Sequence, residues 1–396
     1  MTVDFKKSKL KYHLKVKNGR EVTNEVNYDD NVIDVYGSGG VLKYTDKKLF
    51  TGPSVLFGRK GTIGKPLYVE GDFWTVDTMY YTEIYSGNSP RYFYYLLEVF
   101  PWNQIVTQTA LPSIVGSEVE NYELNIPSEE TQKIIAKYLE CKCVEIEALL
   151  NHKEHLITLL EQQRLSIITE AVTKGLNPNV KMKDSGIEWI GVIPDHWGSL
   201  TFRRVTILQQ GLQIAQEERF YEDGFNRYEY ITVKSLNYQY HVKEYVENPS
   251  HRVICNENEV LLARTGATGL VVTGVSGAFH NNFFKVNFNS GKVIKDYLVY
   301  YLKQAKIQEH FQLVAGTTTI PDLNHGSFYD TALVLPDLNE QQEIVTYLDL
   351  KLKNLERLKD KIGEQVEKLH EYRQSLIYEA VTGKIDVSDM ELDEVR

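Results

Sequence analysis

An arginine followed at fixed intervals by two glycines occurs twice in this 396-residue chain, as Arg59-Lys60-Gly61-Thr62-Ile63-Gly64 and as Arg264-Thr265-Gly266-Ala267-Thr268-Gly269. The chemistry open to such a stretch is recognition of an anion or a base edge. Glycine permits backbone bends that a Cβ would block, and the bend aims N–H groups and a guanidinium fork at one ligand. A tight turn carrying a solvated arginine is the plainer reading, and local spacing does not separate the two.

Other chemistry finds little support. The run FGRKGTIGK (Phe57–Lys65) resembles a phosphate loop, but the spacing from Gly58 to Gly64 is one residue too long. Pro66 stands where Ser or Thr is needed, and the second copy has lost the lysine. GSGG at Gly37–Gly40 reads as a loop. Cys141 and Cys143 would point to different faces of a helix, and no second Cys/His pair accompanies them, so no metal site is expected. Asp195 and His196 lack a third group, and His280 reads as a loop or core residue. No catalytic set emerges, and no cofactor site is expected in this chain.

The elements that would carry the two Arg-Gly loops are themselves repeated. Residues 127–175 slide onto 336–384 without a gap, 16 of the 49 positions are identical, and both copies contain EAVT, at Glu170–Thr173 and Glu379–Thr382. Upstream, Val55–Gly64 lies over Val260–Gly269, and Leu111-Pro112 over Ile320-Pro321. A repeat this long is a duplicated domain rather than a solenoid unit.

From Ser128, a capping residue followed by Glu129 and Glu130, no proline or glycine appears until Gly175. That predicts a helix about 70 Å long. In the second copy Leu348, Leu352, Leu355, Leu358 and Ile362 step by threes and fours, continuing through Tyr372 to Leu376. The first copy keeps Leu139, Ile146, Leu149, Ile157, Leu160 and Ile167, so the two helices are expected to pair as an antiparallel coiled coil. The flanking segments, rich in aromatics and short β-like runs, predict mixed α+β domains. The expected organisation is a first recognition-type domain at 1–126, a long helix at 127–180, a second domain at 181–335, and a second long helix with an acidic tail at 336–396. Trp189 and Trp197, in the connector 175–197, are expected to dock.

No apolar run approaches a membrane span, no apolar core follows the basic start MTVDFKKSKL, and three cysteines suit a reducing cytoplasm. The net charge of −10 looks wrong for a nucleic-acid binder until it is localised. In the helical segments acids outnumber bases 8 to 6 and 15 to 9, while the first twenty residues hold seven Lys/Arg against one Asp.

With these pieces assembled, the sequence resembles the specificity subunits (HsdS) of type I restriction–modification systems over nearly its whole length. The first half carries the resemblance in VYGSGGVLKY, VLFGRKGTIGK and FWTVDTMYY. The second carries it in VLLARTGATGL, HNNFFKV and AGTTTIPDLN. The strongest signals are IPSEETQKIIAKYL and LPDLNEQQEIVTYL, each closed by EAVT, together with SGIEWIGVIPDHW. The resemblance implies a non-catalytic reader of bipartite double-stranded DNA, one half-site per recognition domain, with the long helices as spacer and docking surface. Two modification subunits would bring S-adenosylmethionine and adenine methylation, and restriction subunits would bring ATP and Mg²⁺. Within this frame Ser38, Lys43, Arg59, Lys60 and Thr62 are the candidate DNA contacts of the first domain, and Lys234, Arg264, Thr265 and Thr268 those of the second. The lead-in SGIEWIGVIPDHW precedes only the second domain, which leaves the packing of residues 1–15 open. A coiled-coil protein-binding scaffold and a self-sufficient nuclease are the rival readings.

Overall fold

The computed structural model describes residues 5–28, 32–107, 112–236, 242–316 and 321–387. The whole TTTI run at 317–320, its repeat partners at 108–111, Leu111 among them, and the tail acids Asp389, Glu391, Asp393 and Glu394 lie outside them. The chain forms two compact units, one from residues up to His155 together with those from Ile362 onward, the other Leu156–Lys361. Each contains one α+β domain and a portion of each long helix.

In the first unit a four-stranded antiparallel sheet runs in the order Leu14–Asn18, Met79–Ile84, Ser54–Gly58, Leu67–Val69. A five-stranded sheet contains Ile33–Gly37, which pairs parallel with Asp72–Thr75 and antiparallel with Gly40–Thr45. Strand Ser54–Gly58 is buried along its whole length, which is why its sequence, SVLFG, shows no polar alternation. Lys6–Lys9 pairs antiparallel with Glu123–Ile126, which orders the edge next to the first sheet.

The second unit repeats this plan. Its first sheet has the order Thr206–Gln210, Phe283–Phe288, Leu261–Ala263, Val271–Val272, and Arg227–Ile231 pairs parallel with Gly277–Phe279 as the counterpart of the other parallel contact. Gly198–Thr201 pairs with Ala332–Leu335 where the first unit has Lys6–Lys9 on Glu123–Ile126. Trp197 is 1% exposed and donates its indole N–H to Glu340 at 3.0 Å, while Trp189 stacks on His310, so both connector tryptophans are docked.

The long helices span Glu129–Lys174 and Leu338–Val381. Within the first unit Lys153 donates to Gln365 at 2.8 Å, and Tyr138 lies near Tyr372, so the segments run antiparallel. Within the second, Lys359 pairs with Glu161 at 3.0 Å, and Gly175 lies beside Glu340, which gives the same sense. The expected heptad needs one correction. Leu348, Leu352, Ile362 and Leu376 are buried, but Leu149, Leu358 and Tyr372 are 50%, 46% and 55% exposed, and Leu150 rather than Leu149 faces the core. The helical period exceeds 3.5 residues, so an apolar stripe drifts around a long helix. Here the drift is set by the domain each helix end packs against.

Those ends explain the sequence repeat. Gln132, 1% exposed, accepts from Ser89 N–H at 2.8 Å and donates to the Pro127 carbonyl at 3.0 Å. Gln341, fully buried, accepts from Ile294 N–H at 2.8 Å and donates to the carbonyls of Lys292 and Pro336. At the other end the EAVT valines offer unpaired C-terminal carbonyls. Tyr92 donates its hydroxyl to Val381 O at 2.9 Å, and Tyr297 donates to Val172 O at 3.2 Å. Burial pushes both phenols above their ordinary range, which keeps them as donors.

Candidate nucleic-acid interface

The two Arg-Gly loops leave the ends of equivalent strands, Ser54–Gly58 and Leu261–Ala263. Arg59 N–H donates to Thr78 O at 2.8 Å, and Arg264 N–H donates to Asn282 O at 2.7 Å. On the far side Arg59 O accepts from Ile114 N–H at 3.1 Å, and Arg264 O accepts from Leu323 N–H at 3.0 Å. The arginine backbones are thus clamped in the same way. Both loops then turn through positive φ, at Gly64 (79°) and Gly269 (89°), a region that β-carbons disfavour. At Gly64 a β-carbon would also meet the Trp102 ring at 2.8 Å.

The side chains differ. Arg59 lies over the Tyr80 ring at 5.7 Å and has no carboxylate partner among the described residues. Lys60, Thr62 and Lys65 are exposed beside it, and Lys60 forms a β-bridge with Ser113. Arg264, the matching candidate DNA contact, is held differently. Its Nε and a terminal nitrogen donate to the two oxygens of Asp322, at 2.9 and 2.6 Å, and its side chain is 18% exposed. Asp322 stands at the repeat position of Ser113, so one substitution decides which arginine is closed. Thr268 is likewise engaged, its hydroxyl within hydrogen-bonding distance of Arg264 O (3.0 Å) and Pro321 O (3.1 Å). Thr265 is half-buried on the same loop.

The remaining candidates sit on other elements. Ser38 occupies the turn between Ile33–Gly37 and Gly40–Thr45, in the five-stranded sheet rather than the sheet that carries Arg59. Lys43, on the second of those strands, pairs with Glu25 at 2.6 Å, an exposed pair of small energetic weight. Lys234 is exposed in the turn after Arg227–Ile231, where Ser235 and Thr232 exchange hydrogen bonds that fix the bend. The structure therefore gathers Arg59, Lys60 and Thr62 on one loop and Arg264, Thr265 and Thr268 on its counterpart, and leaves Ser38, Lys43 and Lys234 on neighbouring turns and strands. Sequence reading missed Asp322 and Ser113, the residues that set the state of the arginines. Their signal lay in the offset that aligns Leu111-Pro112 with Ile320-Pro321.

His280 accepts from Asn282 N–H at 3.0 Å and lies near Tyr230, while burial and the Arg219 charge hold its imidazole below the ordinary range, as suits a core-facing loop residue. Among the described residues no group of three or more His, Cys, Asp or Glu converges as metal ligands, and no helix is long and apolar enough to cross a membrane. Cys141, Cys143 and Cys255 are free thiols, and burial pushes the last two upward, the Cys255 thiol to about 11.

A duplicated α+β domain whose strand-end loops present arginine, carried on paired long helices, defines a class of DNA-specificity proteins. The sequence matches the type I restriction modification DNA specificity domain over residues 2–153 and 205–368, and the chain belongs to that family, a specificity subunit rather than a catalytic one. It is 22% identical over 143 residues to the type I restriction enzyme EcoprrI specificity subunit of Escherichia coli, a match spanning 35% of this chain and 36% of that one. A chain solved in work on complex assembly and conformational transition of the type I R-M system superposes with a TM-score of 0.74 at 15% identity, covering 96% of this chain and 98% of the other. The HsdS subunit from Thermoanaerobacter tengcongensis gives 0.51 at 14% identity, with 96% and 97% covered. At these identities the two structures speak for the fold.

Proposed function

We propose that this chain reads a bipartite double-stranded DNA site for a type I restriction–modification system in the cytoplasm. The domain within 1–126 takes one half-site and the domain within 181–335 the other. The helices of 127–180 and 336–396 set the gap and dock two modification subunits, which carry S-adenosylmethionine and methylate adenine. Restriction subunits, with ATP and Mg²⁺, join the same assembly. The observation that carries this reading is the Arg59 loop: an arginine without a carboxylate partner among the described residues, clamped by its backbone, with exposed Lys60 and Thr62 beside it. Phosphate contact needs accessible cations and base readout needs a positioned fork, and that loop supplies both.

Ser38 and Lys43 extend the first surface. In the second domain Lys234 and Thr265 face the DNA, with Arg264 and Thr268 bracing the loop through Asp322 and the Pro321 carbonyl. The test is a genome-wide map of methylated adenine with and without the gene. Loss of one motif made of two short half-sites around a fixed gap is expected, and an unchanged map in cells that make the modification subunit would refute the reading.

A further inference from the structure

Arg164 of the first long helix and Arg373 of the second are equivalent in the repeat. In the first unit Arg373 donates to both oxygens of Glu98, at 3.0 and 3.2 Å, and that carboxylate is 16% exposed. Glu98 ends the helix Pro90–Glu98. In the second unit Lys295–Lys303 repeats that helix: Tyr297 matches Tyr92, Leu302 matches Leu97, and position 303 matches position 98. Position 303 is a lysine. Where the first unit has an acid and a base, the second therefore has two bases.

Arg164 and Lys303 line one cavity of about 400 Å³, and neither makes an ion pair or hydrogen bond among the described residues. Burial, together with the charge of Arg164, holds the Lys303 ammonium below the ordinary lysine range. Asp296, Asp349, Glu356 and Lys353 line the same cavity, and Asp349 accepts from the Tyr300 hydroxyl. Two like charges beside a half-buried cavity favour an incoming anion. The lining carboxylates disfavour a DNA backbone, whose charges repeat along its length, whereas a protein surface can bring a single carboxylate to Arg164 and Lys303 and bases of its own to the acids.

We propose that this cavity receives one Asp or Glu side chain of a protein partner seated on this face of the second unit, in the place Glu98 holds in the first. Resting on the function proposed above, the partner is a modification subunit. Its docking on the second unit then depends on a charge pair that the first unit has already satisfied internally.

The test uses the full chain and the purified modification subunit, with affinity and stoichiometry measured by calorimetry at fixed salt. Lys303→Glu places an internal carboxylate against Arg164. The isolated variant should melt no lower than wild type, while affinity for one bound modification subunit falls on the order of tenfold or more. Lys303→Arg should retain binding. Unchanged affinity in Lys303→Glu overturns the inference. If that variant melts lower, Arg164→Gln and Lys303→Gln decide, and wild-type binding by either overturns it. A wild-type chain that binds no modification subunit refutes the assembly reading itself and this inference with it.

Discussion

Arg264 closes its guanidinium on Asp322 through two hydrogen bonds of 2.9 and 2.6 Å, while for its repeat counterpart Arg59 the position equivalent to Asp322 is Ser113, which bridges to Lys60. Loops of the same backbone design thus hold one arginine on a carboxylate and one with no carboxylate partner among the described residues. If Arg59 reads DNA, Arg59→Ala should cost about 1–3 kcal/mol of affinity for the cognate site. Ser113→Asp should do nearly the same by closing the fork, without removing it. Salt-controlled titrations of both variants check this, and wild-type affinity in Arg59→Ala would refute it.

The engaged arginine calls for a different outcome. Asp322→Ala leaves Arg264, 18% exposed, without its acceptor. A lost charge-assisted hydrogen bond costs about 1.5–3 kcal/mol, and because Asp322 is 45% exposed the loss should fall near the lower end. Urea unfolding measures it. A stability equal to wild type would show that the pair is ornamental.

Gly64 and Gly61 have similar φ, 79° and 76°, but only Gly64 has an obstructed β-carbon position, against Trp102. Gly61→Ala should cost about 1 kcal/mol from backbone strain alone. Gly64→Ala should cost more, because the Trp102 ring is fixed by its indole hydrogen bond to Leu97 O at 3.1 Å. Equal losses in denaturant melts would contradict this ordering.

Gln132 and Gln341 tie each helix start to the short helix of its own unit. Replacing either with Ala strands a buried amide N–H and one carbonyl at Gln132 or two at Gln341, at about 1–3 kcal/mol for each unsatisfied group. Hydrogen exchange should show weakened protection around Ser89 for one variant and around Ile294 for the other. Uniform loss across the chain would argue that the glutamines are not local ties.

Three histidines of the second unit, His280, His310 and His325, are held below the ordinary value of 6.5, in each case chiefly by burial. The unfolded chain therefore binds more protons than the folded one just below that value. Stability should be full above it and decline as pH falls through it toward the depressed folded values. Melting temperatures between about pH 7.5 and 5.5 test the sign, and a temperature that rises on acidification would refute it.

If the long helices set the gap between half-sites, a heptad added to each at equivalent positions lengthens it by about 10 Å, near three base pairs. The methylated motif should keep both halves and widen its spacer. An unchanged spacer would remove the ruler role.

Much of this was written in the linear chain. The length of the first long helix follows from the absence of Gly and Pro between Ser128 and Gly175. The duplication follows from matched letters, and the family from the segments ending in EAVT, because these are local or periodic properties. The heptad was legible only in part, since Leu149 and Leu150 are both apolar and the surface that each helix end meets chooses between them. The loops were legible as Arg-Gly bends, but not the state of their arginines. Arg264 and Asp322 are 58 residues apart, and Arg373 and Glu98 are 275 apart. Sequence alone determined which groups exist and that each occurs twice. Only the tertiary structure decided which are paired, because a charge is satisfied or free according to what the fold brings within hydrogen-bonding distance, and that contact has no local signature.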